Sequence, residues 1–406
     1  MSGVENDRGD RLHGLDALRG GALLLGVVLH ASMSYLPVTV WIVPDAQTSP
    51  VAGALFFAIH LFRMTTFFLI AGLFGHMLLQ RRGWWGFAKD RLSRIAMPLA
   101  SLWGVVLGAI IAVLLWKAAH DNGGSLPTDG PPPPPLTAGT FPWTHLWFLW
   151  VLLIFYAVLL FGRAVLALDR KGVVGRLANR AAGLLIGPWT PLLLAAPLAW
   201  AFWTLPNWIA FFGIPTPDHG VIPNAVALLA FGMAFAVGVL LDRRRDLLAR
   251  IEQSWLPLTG MALLTGGAAF YLTGGWAPKL TPIADGSDRA VVAWTYALAV
   301  YASAFALVGL SLRFASGRSA VRRYLVDSSY WVYIVHLPLV MVGQMLVLDL
   351  PWPWFAKLGA VVGGVLTVSL VTYELLVRHT FIGKWLNGRR VPWRKPLPSA
   401  LPAPAE

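Results

Sequence analysis

Within the apolar run LDALRGGALLLGVVLH, Leu15 to His30, stand Asp16, Arg19 and His30, and within FFAIHLFRMTTFFLIAG stand His60 and Arg63. An imidazole, with an unperturbed pKa of about 6.5, serves as general base near neutral pH. A guanidinium offers paired donors to a carboxylate, a phosphate or a carbonyl oxygen. At about 100° per residue, Arg19 and His30 fall within about 20° of each other, with Asp16 about 40° to the other side of His30. Asp16, Arg19, Leu23, Gly26 and His30 therefore share one stripe of a helix. His30 lies about 16 Å beyond Arg19 and some 21 Å beyond Asp16, too far for a direct carboxylate–imidazole dyad. His60 and Arg63 are neighbours at i, i+3 on the next helix.

The elements that carry these residues follow from composition. The chain has 406 residues, 57% of them hydrophobic and 13% charged, with 20 Trp and 21 Phe, so an all-α polytopic membrane protein is expected. Apolar runs near 15–36, 51–79, 95–116, 145–168, 181–203, 222–241, 255–275, 290–312, 328–348 and 353–377 suggest ten spans. Of the 32 Lys and Arg, only Lys117, Lys279, Arg289 and Lys357 fall on one side and Arg63 lies within a span; the rest favour a cytoplasmic location for both termini. The net charge of +13 is then topological, with no nucleic-acid partner expected. No small-residue cleavage site follows the first run, so it is expected to be retained as a helix. The expected organisation is a cytoplasmic tail over 1–14, a membrane domain over 15–378 with a Pro-rich external loop at 117–142, and a basic, then Pro-rich, cytoplasmic tail over 379–406. There is no cysteine, which excludes disulfides and a thiol nucleophile.

Counted from the outer end of its helix, Arg63 lies roughly 18 Å deep, comparable with His30, so the two can share a site. An arginine at the bilayer centre costs about 2.5 to 3.5 kcal/mol on insertion scales. Either a salt bridge to Asp16 or Glu374 compensates it, or a substrate carbonyl or carboxylate does. His30 likewise reads as a base or as one partner of an interhelical hydrogen bond. Arg81, Arg82, Lys89, Arg91 and Arg94 form a basic cluster in which Arg91 and Arg94 are i, i+3 neighbours; by position alone all five read as topology signals. His336, which follows Tyr333 in the ninth expected span, lines a cavity or is a packed polar group, His145 stands at the outer start of the fourth, and FFGIPTPDHGVIP, from Phe211 to Pro223, is a connector or a cavity wall. Trp143, Trp147 and Trp150 fit an interfacial belt, Glu374 and Arg378 a local ion pair, and Asp327 and Ser328 a helix cap. No H-x-x-x-x-D, H-E-x-x-H or Walker pattern occurs, and no metal is expected. A secondary transporter also carries ionisable groups at mid-membrane, usually on related repeats, and no repeat is visible here.

Arg19, ten residues and His30, preceded by LDALRG, resemble the first-helix signature of the acyltransferase 3 family of integral membrane acyltransferases. RLSR is similar to its cytoplasmic R-x-x-R element, FFLIAGLF to its second-helix consensus, HLWFLW to its mid-chain block and SSYWVYIVHLP to its late Tyr and His block. The likeness runs through all the spans in order, although 170–315 add little beyond hydrophobicity. LDALRGG, FRMTTFFLIAGLFGHMLLQRRG and HLWFL are most similar to the branch that modifies osmoregulated periplasmic glucans, often with succinyl groups. The resemblance implies a multi-pass O-acyltransferase of the bacterial inner membrane. It would move an acetyl or succinyl group from cytoplasmic acyl-CoA to hydroxyls of a periplasmic or cell-surface glycan. It also implies His30 as general base or acyl carrier, with Arg19 and Arg63 in the catalytic site and Arg91 and Arg94 on the donor. Asp16, His60, His145, Tyr333 and His336 follow as substrate or cavity residues, with membrane lipid, the glycan acceptor and the acyl-CoA donor as partners.

Overall fold

A computed structural model of the chain describes residues 2–127, 135–317, 319–388 and 391–392. Most of the proline run, 131–134, and the Pro-rich tail from 393 lie outside the described residues. Among the described residues there is no strand, only one antiparallel bridge between Pro142 and His219. Eight helical segments among the described residues are long and apolar enough to cross a membrane, or nine if α5 (Val173–Leu185) and α6 (Thr190–Thr204), bent by 100° at their junction, form one span. Pro50–Asp121 counts once in that tally although it has 72 residues. At about 1.5 Å per residue it is about three and a half bilayer cores long. It consists of two arms, α2 (Pro50–Arg91) and α3 (Met97–Asp121), joined by π-helical turns at Leu92–Ala96. They correspond to the second and third expected spans.

The fifth expected span, 181–203, differs. VVGRLANRAAGLL places Arg176 and Arg180 one turn apart, so α5 has a charged face that hydrocarbon would penalise. It packs on α7 (Ala225–Arg243), where Arg243 donates to Asn179 Oδ1 at 3.0 Å. With 15 residues, about 22 Å, α6 falls short of a full span by itself. The first helix, α1 (Ser2–Ser32), also runs on through most of the expected N-terminal tail. At the start of α11 (Ala320–Val347), Ser319 is the cap and accepts from Arg322 N, so Asp327 and Ser328, expected as a cap, lie inside the helix. Ser328 Oγ instead donates back to Leu325 O.

Close helix contacts rest on small residues, as expected where lipid supplies no hydrophobic drive. At the α2–α7 crossing, a Cβ on Gly72 or Gly238 would strike the carbonyl of Phe235 or Leu69. The most buried span, α10 (Ser287–Phe314), is rich in Ala and Ser and lies among α6, α9 (Trp255–Leu272), α1 and α2. The helix α1 lies along α11, which brings the first-helix stripe to the late Tyr and His block. Lys357 and Arg289, both expected as outer basic residues, are buried. In α12 (Trp354–Thr372), Lys357 pairs with buried Asp45 at 2.7 Å and ties loop 36–49 down.

Candidate active site

One cavity of about 870 Å³ gathers His30 from α1, His60 and Arg63 from α2, His145 from the turn before α4 (Trp147–Ala167), and Tyr333 and His336 from α11. The ring of His30 lies 5.3 Å from that of His336 and stacks 5.8 Å from Trp41. His336 meets His145 edge-on at 4.9 Å. Gly26, one turn before His30, leaves the space that Arg63 fills. A Cβ there would sit 2.5 Å from Arg63 Nη1 and 3.3 Å from His336 Nε2.

Hydrogen-bond partners fix which imidazole nitrogens are free. A carbonyl can only accept, so each nitrogen that faces one carries the proton. His145 Nε2 donates to Tyr333 O and Ile334 O, both at 3.1 Å, His336 Nδ1 donates to Tyr333 O at 2.6 Å, and His60 Nε2 donates to Phe212 O at 2.9 Å. The opposite nitrogens of His145 and His336 are buried without partners, and so is His30 Nδ1. In the neutral rings of His145 and His336 those nitrogens hold lone pairs. His60 and His145 are tied to backbone on other elements, which leaves His30 and His336 as the rings that face each other beside Arg63.

Arg63 has no hydrogen bond or ion pair among the described residues, and its Nε is buried and unpartnered. The two carboxylates considered for it are engaged elsewhere. Asp16 pairs with Arg19 at 2.8 Å, and Glu374 with Arg378 at 2.8 Å and His379 at 3.1 Å. Arg19 also lies over Phe74 at 5.6 Å and does not line the cavity.

Several residues that shape the cavity escape sequence reasoning. Gln344 donates to His30 O at 3.0 Å and accepts from Trp41 Nε1 at 2.9 Å, which joins α11, α1 and loop 36–49 around the His30 ring. A glutamine inside MVGQMLVL was the available signal; nothing marked Trp41, 303 positions away from it. Thr144 lines the cavity at φ 53°, an outlying conformation for a β-branched residue, and its hydroxyl is buried without a partner. The stretch 211–223 is a cavity wall as well as a connector. Trp143 and Trp150, expected as an interfacial belt, stack at 4.9 Å and donate to Gly220 O and Val221 O, while Trp147 is buried against Phe231. A buried indole N–H needs an acceptor, and this loop supplies two.

At the other end of α2, Asp90 is buried and receives three arginines. Arg82 lies at 2.8 Å, Arg91 at 2.6 Å and Arg94 at 3.3 Å. Sequence reading passed over Asp90. Arg91 is further held by Tyr156 Oη at 3.3 Å and lies over the Tyr156 and Phe87 rings. Arg94 approaches Asp90 through Nε, and its terminal nitrogens make no hydrogen bond among the described residues. The expected pair is thus divided, with Arg91 built into the fold and Arg94 left with free donors.

Residues 12–374 match the acyltransferase domain family. The chain belongs to the acyltransferase 3 family. Glucans biosynthesis protein C of Salmonella heidelberg, Salmonella dublin and Salmonella enteritidis PT4 are each 32% identical to it over 147 residues, 34% of this chain and 35% of theirs. The match therefore spans about a third of the length of those relatives. No solved structure matches. In this acyltransferase 3 member, the cavity combines neutral imidazoles, two of them with a buried lone-pair nitrogen that has no partner, and an uncompensated guanidinium with apolar walls, groups that can take a proton and hold a developing oxyanion.

Proposed function

We propose that this acyltransferase 3 member is an O-acyltransferase that moves an acetyl or succinyl group from acyl-CoA to a hydroxyl of a glycan, with the transfer in the cavity of His30, Arg63 and His336. The observation that carries the reading is Arg63, a deep cation with no carboxylate partner among the described residues, set beside imidazole nitrogens that have none either. A structural arginine at that depth would be paired.

In this scheme the glycan hydroxyl gives its proton to His30 as its oxygen attacks the thioester carbonyl. The carbonyl oxygen becomes an oxyanion held by Arg63. Collapse re-forms the carbonyl and breaks the carbon–sulfur bond, and the departing thiolate takes the proton back from the imidazolium. His336 shares the His30 ring environment, and Gln344 and Trp41 fix that ring's direction. Arg94 with its free donors contacts the donor phosphates, while Arg19, paired with Asp16 on α1, takes no part in the transfer step.

The Lys and Arg distribution supports cytoplasmic termini in a bacterial inner membrane, with Arg94 on the donor side and the cavity toward the periplasm. Because the chain has no cysteine, Lys171→Cys and Ser125→Cys report orientation without background. The first should react only from the cytoplasm and the second only from outside; the reverse pattern would invert the scheme. The activity itself is tested with purified protein in proteoliposomes. Acyl-CoA should be consumed in step with an added acyl mass on a gluco-oligosaccharide. A transporter using the same polar residues would leave the thioester intact.

A further inference from the structure

At the same end of the bundle as the active-site cavity, a second hollow of about 790 Å³ opens beside it. Leu205, Pro206 and Asn207 line both, so one short stretch of chain forms the wall between them. That wall is firmly held. Trp208 is buried, stacks on Phe202 at 4.4 Å with an interplanar angle of 9°, and donates its indole N–H to Gly213 O at 2.8 Å. Arg289, itself buried, donates to Phe202 O at 3.1 Å and to Leu205 O, which closes the end of α6, and to Asp285 Oδ1 at 2.7 Å. The side chains that remain available are of another kind. Trp203 is 41% exposed, the Asp285 side chain is 89% exposed with no hydrogen bond to Oδ2 among the described residues, and Asn207 is exposed at φ 53°.

We propose that this hollow is a subsite for a neutral carbohydrate and binds the part of a glycan that flanks the hydroxyl acylated in the main cavity. The inference rests on the acyl-transfer reading for its purpose, but its chemistry is its own. An indole face covers the C–H face of a pyranose ring, a fixed carboxylate accepts from sugar hydroxyls, and an amide both donates and accepts. The ionic groups that line the hollow are Asp285 and Arg289, already paired, and the accessible one is the carboxylate. An anion or a phosphate therefore finds no free cation there. A chain longer than one sugar has to leave the main cavity, and the shared wall at Leu205–Asn207 gives it a continuous surface to follow.

Two measurements test this separately from the acyl-transfer reading. Binding of a long linear gluco-oligosaccharide to the purified full chain is measured by titration calorimetry for wild type, Trp203→Ala and Asp285→Asn. Both sites are accessible, and the amide introduced by Asp285→Asn retains an acceptor for Arg289. The wild type should bind, and each variant should weaken binding about tenfold, the scale of a lost charged hydrogen bond. In acyl transfer, the variants should lose the preference of wild type for the oligosaccharide over methyl glucoside. Absence of binding by wild type, or variants that bind as wild type does, would overturn the subsite whatever the enzyme acylates. Binding that depends on Trp203 and Asp285 without any acyl transfer would keep the subsite and overturn the reading of the main cavity.

Discussion

The two ends of α2 handle buried charge in opposite ways. Near its C-terminal end one buried carboxylate, Asp90, is met by three arginines, and every partner is supplied by the chain. Near its other end Arg63 reaches the α1 stripe at Gly26 with imidazoles and aromatics around it and no carboxylate among the described residues. Removing one member of a satisfied buried network harms the fold, because the charge left behind has lost its compensation. Removing an uncompensated group relieves the fold and harms whatever that group awaits. Loss of stability and loss of chemistry should therefore separate along a single helix.

The largest effect is expected at His30. The His30→Gln variant keeps hydrogen-bonding capacity but no basicity near neutral pH, and acyl transfer should fall by a factor of about 100 to 10,000. Normal insertion with a near wild-type rate would make His30 a packing residue. The next largest is at the satisfied end. Asp90→Ala should lower stability by about 3 kcal/mol, the low end of the range for a broken buried pair, since the arginines keep some access to water. Thermal unfolding in detergent reads it, and an unchanged midpoint would show that the arginines do not depend on Asp90. Smaller again is the split between neighbours. Arg94→Ala should weaken acyl-CoA binding by about 1.5 to 3 kcal/mol, with only partial rescue by Lys because an ammonium cannot make the bidentate contact. Arg91→Ala should act mainly on the unfolding midpoint. Equal losses of donor affinity in both variants would restore the pair as one phosphate site. The smallest effect is expected for Gln344→Leu, which removes the shared hydrogen bonds to His30 O and Ala31 O and the one from Trp41. A slowing of severalfold corresponds to about 1 kcal/mol, and no slowing would detach this relay from His30.

What the sequence discloses follows periodicity and local spacing. Apolar runs marked the spans, and the stripe of Asp16, Arg19, Gly26 and His30 follows from about 100° per residue. The short-range pairs, Asp16 with Arg19 and Glu374 with Arg378, lie within one helical turn and were visible as i, i+3 and i, i+4 neighbours. What spacing could not convey is which distant helices meet. Gly26 looks like any small residue until α2 brings Arg63 against it, and Gln344 has no meaning until α11 lies along α1. Asp90 was overlooked for a related reason, since a lone acid among basic residues reads as loop charge unless its burial is known. The bend between α5 and α6 was legible in principle, because Arg176 and Arg180 one turn apart forbid a simple continuation into hydrocarbon.

The difference between the two ends of α2 is tested most directly by Arg63→Met, with transfer rate and thermal midpoint measured on the same purified sample. Methionine keeps much of the side-chain length and removes the charge. Loss of a preorganised group that holds the oxyanion should slow transfer about 100- to 1,000-fold, while the unfolding midpoint stays at or above that of wild type because a buried cation without a partner is gone. A variant that transfers acyl groups at the wild-type rate but unfolds at a lower temperature would show that Arg63, like Arg91, belongs to the fold and that the cavity has no waiting cation.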